Sequence, residues 1–587
     1  MPGRVYYSEH ARRTAPAGPA AGVPADGQSA SGPPPTEQAP PPIEDVADTD
    51  GPAAEPGAGS AAGNSAVMAL GSLVSRITGF LRTVVIAAAL GSTLVGNAYT
   101  TAQWFPGMVY ELLLGGVLTS VLVPILVRAR KRDPDRGEAY TQRLLTLTVL
   151  ALGVTTVLAV ACAPLLAWIS RTPTPGLVTA LSYLILPTIF FYGLSGVLAA
   201  VLNTRGHFAA PMWTPILNNL VVIATFGLYL LRYGATPITP EQMGADRLLL
   251  VGGGTLLGIV VQATGLFPAL RRVGFRWRWR FDFRALRLGE IGRLGAWMFC
   301  YVGVNQISVL VVLALINNAD AEAEAGLLIF NNVFLLMMMA HGIVGVSIIM
   351  ALMPRLSAAA ADRRYGAMVE DLSKGARMSM AVLAPIAVAY VVLALPIAAT
   401  LFQWGVFDAS AAEATAPVLV MAGVALIPFT LSQLTTFTFY AMPDTRTPAL
   451  VNLAVVALRV AVQLGIYAAF AASFVAAGMM LGNGLSYLFA AVVMAVLLRR
   501  RLGPLGLRRI ANTLLRVGVA AGAAAGVGLL IPRLLPGGTD PDKWEAVLQL
   551  AVGGAAVGLT YLGCALLLQV GEVGEVVSLV RAKVLRR

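Results

Sequence analysis

Arg76 and Arg82 stand six residues apart inside the apolar run 66–90, where a spanning helix has no use for charge. An arginine near the centre of such a helix costs about 2.5–3.5 kcal/mol on insertion scales, so two in one helix call for a polar cavity. Snorkelling to the interface is the alternative. At about 1.5 Å of rise per residue, Arg76 lies about ten residues from that interface and Arg82 lies deeper, which strains that explanation. The guanidinium is a planar fork of donors suited to phosphate, so the pair reads as a site for an anionic group inside a membrane. The spacing sets the side chains about 120° apart around the helix and about 9 Å apart along it, so they can share a broad cavity but no narrow stripe. Gly79 between them allows a bend or the close approach of another helix.

Other polar residues in apolar runs extend the inventory. Glu111 in the second run could pair with Arg76 or Arg82, bind a coupling ion, or simply be hydrated near the outer interface. Arg459 is the deep cation of the later part of the chain, placed to complete an anion site or to form a structural ion pair. Asn305, Gln306, His341 and Gln433 could hydrogen-bond a large headgroup, and interhelical hydrogen bonding explains them equally well. Cys162, Cys300 and Cys564 stand singly without CxxC spacing, which supports neither a disulfide framework nor a zinc site and suggests small core residues. Gly252, Gly253, Gly254 and Gly258 form a small-residue face for helix packing. No GxxxxGK[ST] or GxSxG motif occurs, and the acidic cluster Asp320, Glu322 and Glu324 reads as a solvated loop, so neither an enzyme nor a cofactor is expected.

These residues must be positioned by membrane helices. With 57% hydrophobic and 12% charged residues in 587, the chain reads as an all-α polytopic membrane protein. Fourteen runs of spanning length are predicted at 66–90, 104–127, 144–169, 177–202, 212–231, 248–270, 294–316, 327–353, 379–402, 415–440, 449–471, 474–498, 511–532 and 545–570. Of the 42 basic residues, 31 fall in loops on one side and five in loops on the other, which predicts cytoplasmic termini. The net charge of +12 then reflects topology and contact with anionic lipid, and nucleic acid is not an expected partner. Residues 1–60 read as a disordered Pro/Ala/Gly-rich tail, 271–293 as a basic cytoplasmic loop whose Trp277 and Trp279 form an interfacial anchor or, alternatively, a lipid-headgroup or partner patch, and 571–587 as a basic tail.

The chain repeats itself. Thr214–Val222 and Thr447–Val455 share TPxLxNLxV, 233 residues apart, with Pro215 and Asn219 in the first copy answered by Pro448 and Asn452 in the second. Pro124 and Pro354 end helices 2 and 8 with nearly the same offset. The implied plan is two six-helix halves, 65–270 and 294–498, around a central cavity, with an additional pair of helices at 511–570.

Ser75-Arg76-Ile77-Thr78-Gly79-Phe80-Leu81-Arg82 resembles the SRxxGFxR signature of the MurJ (MviN) lipid II flippases of the MOP exporter superfamily, in their actinobacterial form. The segment Tyr110–Ser120 with Val123-Pro124 is similar to the second helix of that family. Asn203, Phe208, Pro211, Pro215 and Asn219 fit its loop and fifth helix, and Asp444, Thr447 and Pro448 fit the second half. The resemblance implies alternating-access transfer of lipid II, the undecaprenyl-diphosphate-linked peptidoglycan precursor, from inner to outer leaflet of a bacterial plasma membrane. It implies cavity roles for Arg76 and Arg82, and cell-wall synthesis proteins as candidate partners of the tail. Departures are Tyr110 and Leu335, where other members carry arginines, and Asn97, where an acidic residue is expected. Competing readings are export of another polyprenyl-linked glycan or of a drug, a membrane glycosyltransferase, and a non-transporting scaffold. The sequence does not specify the energy source; coupling to the membrane potential or to an ion is open.

Overall fold

Inside a bilayer every backbone N–H and C=O must find its partner within the chain, so apolar runs of this length resolve into helices. The computed structural model of the protein describes residues 58–112, 126, 135, 137–286, 288–319, 326–538, 540–575 and 577–578. Its principal helices are α1 (Ala58–Leu90), α2 (Leu94–Tyr110), α3 (Glu138–Ala161), α4 (Pro175–Thr204), α5 (Ala209–Tyr233), α6 (Ala245–Arg272) and α7 (Leu288–Ala319). They continue as α8 (Leu327–Ala361), α9 (Tyr365–Val392), α10 (Ala409–Ala441), α11 (Arg446–Ala469), α12 (Val475–Leu502), α13 (Leu507–Leu534) and α14 (Lys543–Leu567).

Thirteen of the described helices are long and apolar enough to cross a membrane, and each overlaps a predicted run. The remaining run, 104–127, is described at its start alone, which lies earlier than predicted: α2 starts at Leu94, where the Thr93 hydroxyl accepts the Gly96 N–H at 3.2 Å. Pro124 and the Asp320–Glu324 cluster lie outside the described residues, as does the tail through residue 57. Starting α2 early puts Glu111 about 25 Å along the helix, far from the end at which it was expected to be hydrated. α9 also begins before its predicted start, and Lys374 and Arg377, expected in a loop, lie on it. They are held by the C-terminal segment, Lys374 to Glu575 at 2.9 Å and Arg377 to the buried Glu572. Cys162 and Cys300 are exposed on the bundle surface, not small core residues as expected.

Breaks fall where backbone chemistry demands them. α4 is interrupted at Leu186 and Pro187, because proline lacks the N–H that would continue the ladder. Pro211 and Pro448 sit in the first turns of α5 and α11, where no N–H is needed. Asn203 ends α4, its carbonyl accepting the Gly206 N–H at 3.1 Å. Three of the four glycines of α6 are packing positions: a methyl group would overlap Leu184 at Gly252, Thr225 at Gly254 and Asn218 at Gly258, whereas Gly253 faces open space. Hydroxyls of Thr141, Thr146, Thr415 and Thr438 bond carbonyls four residues back, which explains polar residues in apolar helices without invoking function.

The apolar core is shared at one end of the bundle and divided at the other. At the charge-poor end one cluster joins both halves, with Tyr99, Phe105 and Phe226 from the first and Leu313, Leu327 and Phe402 from the second. At the basic end the halves have separate cores, one around Leu145, Leu198 and Leu270 and one around Ile349, Leu372 and Leu498. α13 and α14 pack on each other and on α9.

Hydrogen bonds between the halves also gather at the charge-poor end. Val406 N–H donates to Ala88 O at 2.8 Å, Leu328 N–H to Asn97 Oδ1 at 2.9 Å and Trp104 Nε1 to Asn331 Oδ1 at 3.0 Å. The Asn317 amide donates to Thr101 Oγ1 at 3.2 Å and to Ser170 O at 3.0 Å. Gly91, with φ +65°, ends α1 here, and a methyl on it would come within 2.6 Å of Val406. Asn97, 4% exposed, caps the first turn of α8 from across the seam.

The two copies of the repeat have diverged in what their asparagines do. Asn219 Nδ2 donates to Ser75 O at 3.2 Å and to Thr78 Oγ1 at 3.0 Å, fastening α1 to α5. Asn452 Nδ2 is buried with no partner. Beside that second copy, Asp444 accepts the Thr447 N–H at 2.9 Å and the Thr447 hydroxyl at 2.7 Å, and pairs with Arg501 at 2.5 Å. Burial pushes the Asp444 carboxyl up, and the Thr447 and Arg501 contacts outweigh it, so its pKa is lowered.

Three outcomes follow from this packing. Asn97→Ala removes a cap worth about 1 kcal/mol, and a cysteine placed at Gln103 should then react about fivefold faster with an impermeant maleimide applied at the charge-poor end. Unchanged labelling would show that Asn97 does not hold the seam. Asn219→Ala should lower stability by about 1–2 kcal/mol in thermal unfolding and Asn452→Ala by far less; equal losses would refute the asymmetry of the repeat. Because the Asp444 pKa is depressed, its stabilisation is full above the unfolded value of about 3.9 and is lost as pH falls through the folded value. The unfolding midpoint of Asp444→Asn should therefore lie below that of the parent at pH 7, with the gap closing on acidification.

Candidate substrate cavity

α1 presents its two arginines to different neighbours. Ile77 and Leu81 on the same helix are exposed at 56% and 48%, so the apolar face looks outward while Arg76 and Arg82 are half-buried. Arg82 lines a cavity of about 360 Å³ between the halves, directly beneath the seam, with Gln103, Trp104 and Glu111 of α2, Gln306 of α7 and Asn332 of α8. It also borders a smaller cavity of about 60 Å³ inside the first half, with Tyr192 and Asn218. Its Nε, the Asn218 Oδ1 and the Asn332 Nδ2 are all buried without a partner.

Arg76 is one helical turn or more nearer the basic end and rests on α8, where a methyl group on Gly342 would overlap its guanidinium. Neighbouring His341 is occupied, its Nδ1 2.9 Å from the Thr430 hydroxyl and its ring 4.6 Å from that of Phe429, which is a packing role. Gly79 is not forced by a close approach: a methyl there would meet Asn219 Nδ2 at 3.5 Å, an ordinary contact, and α1 runs through it unbroken.

Arg459 lies in a second cavity, of about 150 Å³, in the other half. Its Nε donates to Ser486 Oγ at 2.9 Å and its guanidinium sits over the Tyr487 ring at 5.0 Å. Asn305, Gln433, Asn452 and Pro448 share that lining. The adjacent residues Asn305 and Gln306, grouped by sequence into one site, are thus divided between the two cavities by α7.

Among the described ion pairs none includes Arg76, Arg82, Arg459 or Glu111, so Glu111 shares the Arg82 cavity without neutralising it. Leu335 lines the same cavity, and the Tyr110 ring is tilted against that of Tyr192 at 5.7 Å, so both positions that replace arginine border this region. Gln103, Trp104, Asn332 and Tyr192 were missed by sequence reasoning. The Asn331-Asn332 pair in an apolar run was a readable signal; Tyr192, among Phe and Tyr neighbours, offered none.

The chain matches the model of the lipid II flippase MurJ family over residues 86–538. The lipid II flippase MurJ of Burkholderia cenocepacia is 27% identical over 73% of this chain and 82% of that protein. The probable lipid II flippase MurJ of Synechocystis sp. is 27% identical over 67% of this chain and 74% of its own length. A solved lipid II flippase MurJ in an inward closed conformation has a TM-score of 0.65 at 16% identity, covering 84% of this chain and 97% of that one. An inward-facing multidrug resistance MATE family transporter of the MOP superfamily has a TM-score of 0.57 at 15% identity, covering 73% and 95%. The two solved structures establish the shared helical fold. The family match begins after Arg76 and Arg82, so the roles of those arginines rest on the cavity geometry and on the first-helix motif. With more than three quarters of its length inside that match, the chain belongs to the lipid II flippase MurJ family.

Proposed function

We propose that the protein carries lipid II across a bacterial plasma membrane by alternating access, taking it up at the basic end and releasing it at the charge-poor end. The basic end and both termini face the cytoplasm in this reading, supported by the asymmetry of basic loop residues. The observation that carries the proposal is Arg82, a deep cation outside every described ion pair, on a polar cavity between the halves and immediately under their seam. A diphosphate supplies the charge such a site lacks, and the half-dry setting strengthens the interaction relative to water.

Arg76, nearer the basic end, is the first cation a headgroup would meet, and Arg82 holds the diphosphate deeper. Gln103, Gln306 and Asn332 offer hydrogen bonds to sugar and peptide groups. The Arg459 cavity gives the second half its own cation for a headgroup too large for one site. Outward movement of a dianion is favoured by about 2.3 kcal/mol per charge per 100 mV when the interior is negative, so the potential acts in the direction of export. Cationic drugs, by contrast, would be repelled by the arginines.

The test is depletion of the protein in its host, with newly made lipid II assayed for accessibility from outside. Wild type should restore outward lipid II and the double variant Arg76→Ala/Arg82→Ala should not. Undiminished lipid II export after depletion, in a strain lacking any other flippase, would overturn the proposal.

A further inference from the structure

The basic segment that follows α6 borders a further cavity, outside the substrate route. It measures about 500 Å³; Leu198, Phe267 and Leu270 form an apolar wall, and Arg271, Arg276 and Trp277 a polar rim. Gly274, with φ +71°, leaves its mouth open, since a methyl group there would meet no atom within 4 Å. The Trp277 indole N–H is enclosed and unpartnered. Neither Arg271 nor Arg276 belongs to any described ion pair.

The residues that follow, 275–282, form neither helix nor strand. The strip is fixed on α3: the Gln142 amide donates to Arg276 O at 2.8 Å, Arg280 N–H to Thr146 Oγ1 at 3.1 Å, and Arg143 pairs with Asp282 at 2.6 Å. Its aromatic rings meet, Trp277 tilted against Trp279 at 4.8 Å and Trp279 stacked on Phe281 at 6.3 Å, and the last two are 56% and 64% exposed. A pinned row of exposed rings beside unpaired arginines suits the boundary between acyl chains and headgroups.

We propose that this cavity binds an anionic phospholipid of the adjoining leaflet, its phosphate between Arg271 and Arg276 and accepting from Trp277, its chains along the wall of Leu198 and Phe267. The apolar wall and the exposed rings favour a membrane lipid over free phosphate. Assignment to the cytoplasmic leaflet rests on the orientation given above; the site itself does not depend on lipid II transport.

The full chain, purified in mild detergent, can be titrated with phosphatidylglycerol and phosphatidylcholine and the bound lipid counted by native mass spectrometry. Phosphatidylglycerol should be retained about tenfold better than phosphatidylcholine, Arg271→Gln/Arg276→Gln should remove that preference, and Trp277→Phe, which keeps ring and charge, should weaken phosphatidylglycerol binding about tenfold. Equal retention of the two lipids overturns the proposal. So does unaltered binding to Trp277→Phe, which decides the matter if the double variant fails to fold. Displacement of the lipid by millimolar glycerol phosphate would overturn the lipid as the source of the phosphate. Because the readout is lipid retention, a failed flippase assay leaves this result independent.

Discussion

A guanidinium keeps its proton under all physiological conditions, so one placed in an apolar bundle without a carboxylate must be given polar surroundings or water. Arg76, Arg82 and Arg459 each impose that demand, and much of the arrangement between α1 and α12 answers it. Glycine at position 342 makes room for Arg76 on α8. Amides from α2, α7 and α8 collect around Arg82, and Ser486 with the face of Tyr487 serves Arg459. Buried atoms without a partner occur in these places too, at Arg82, Asn218, Asn332 and Asn452. Such atoms are costly in a dry core and tolerable where a ligand or solvent can reach them.

Around these polar pockets the apolar packing is uneven in a way that matters. A single cluster fuses the halves at the charge-poor end, and separate clusters hold each half together at the basic end. Each half therefore keeps its own internal packing when the contacts between them change. The bonds that join them are few and of ordinary strength, mostly one asparagine or one backbone N–H apiece, which suits a seam that has to open and reform.

The helices were legible because length and hydropathy are local properties, and thirteen predicted runs coincide with described spans. The start of α2 was missed because its first turns, Leu94 to Thr101, carry Asn, Tyr and Thr, which depress hydropathy yet are buried, Asn97 and Thr101 against the other half and Tyr99 against Phe226 and Thr255 of its own. That tertiary compensation cannot be seen in a window of sequence. Arg82, Glu111 and Gln306 were identified from polarity alone and do share a cavity, but the assignment of Asn305 to one side of α7 and Gln306 to the other depends on helix rotation, which composition does not encode. The exposed positions of Cys162 and Cys300 were unreadable for a related reason: in a lipid-facing bundle apolar residues line the outside as well as the core.

The duplicated TPxLxNLxV segment carries a further consequence. Both copies keep the proline, inside α5 at Pro215 and in the first turn of α11 at Pro448, but one amide is a rivet between neighbouring helices while its counterpart hangs free in a chamber. One half thus carries its charged helix as a stiff strut, and the other offers an adaptable berth. A headgroup built of unlike pieces, a compact diphosphate and a sprawling sugar-peptide, is better served by such lopsided twins than by perfect mirror partners.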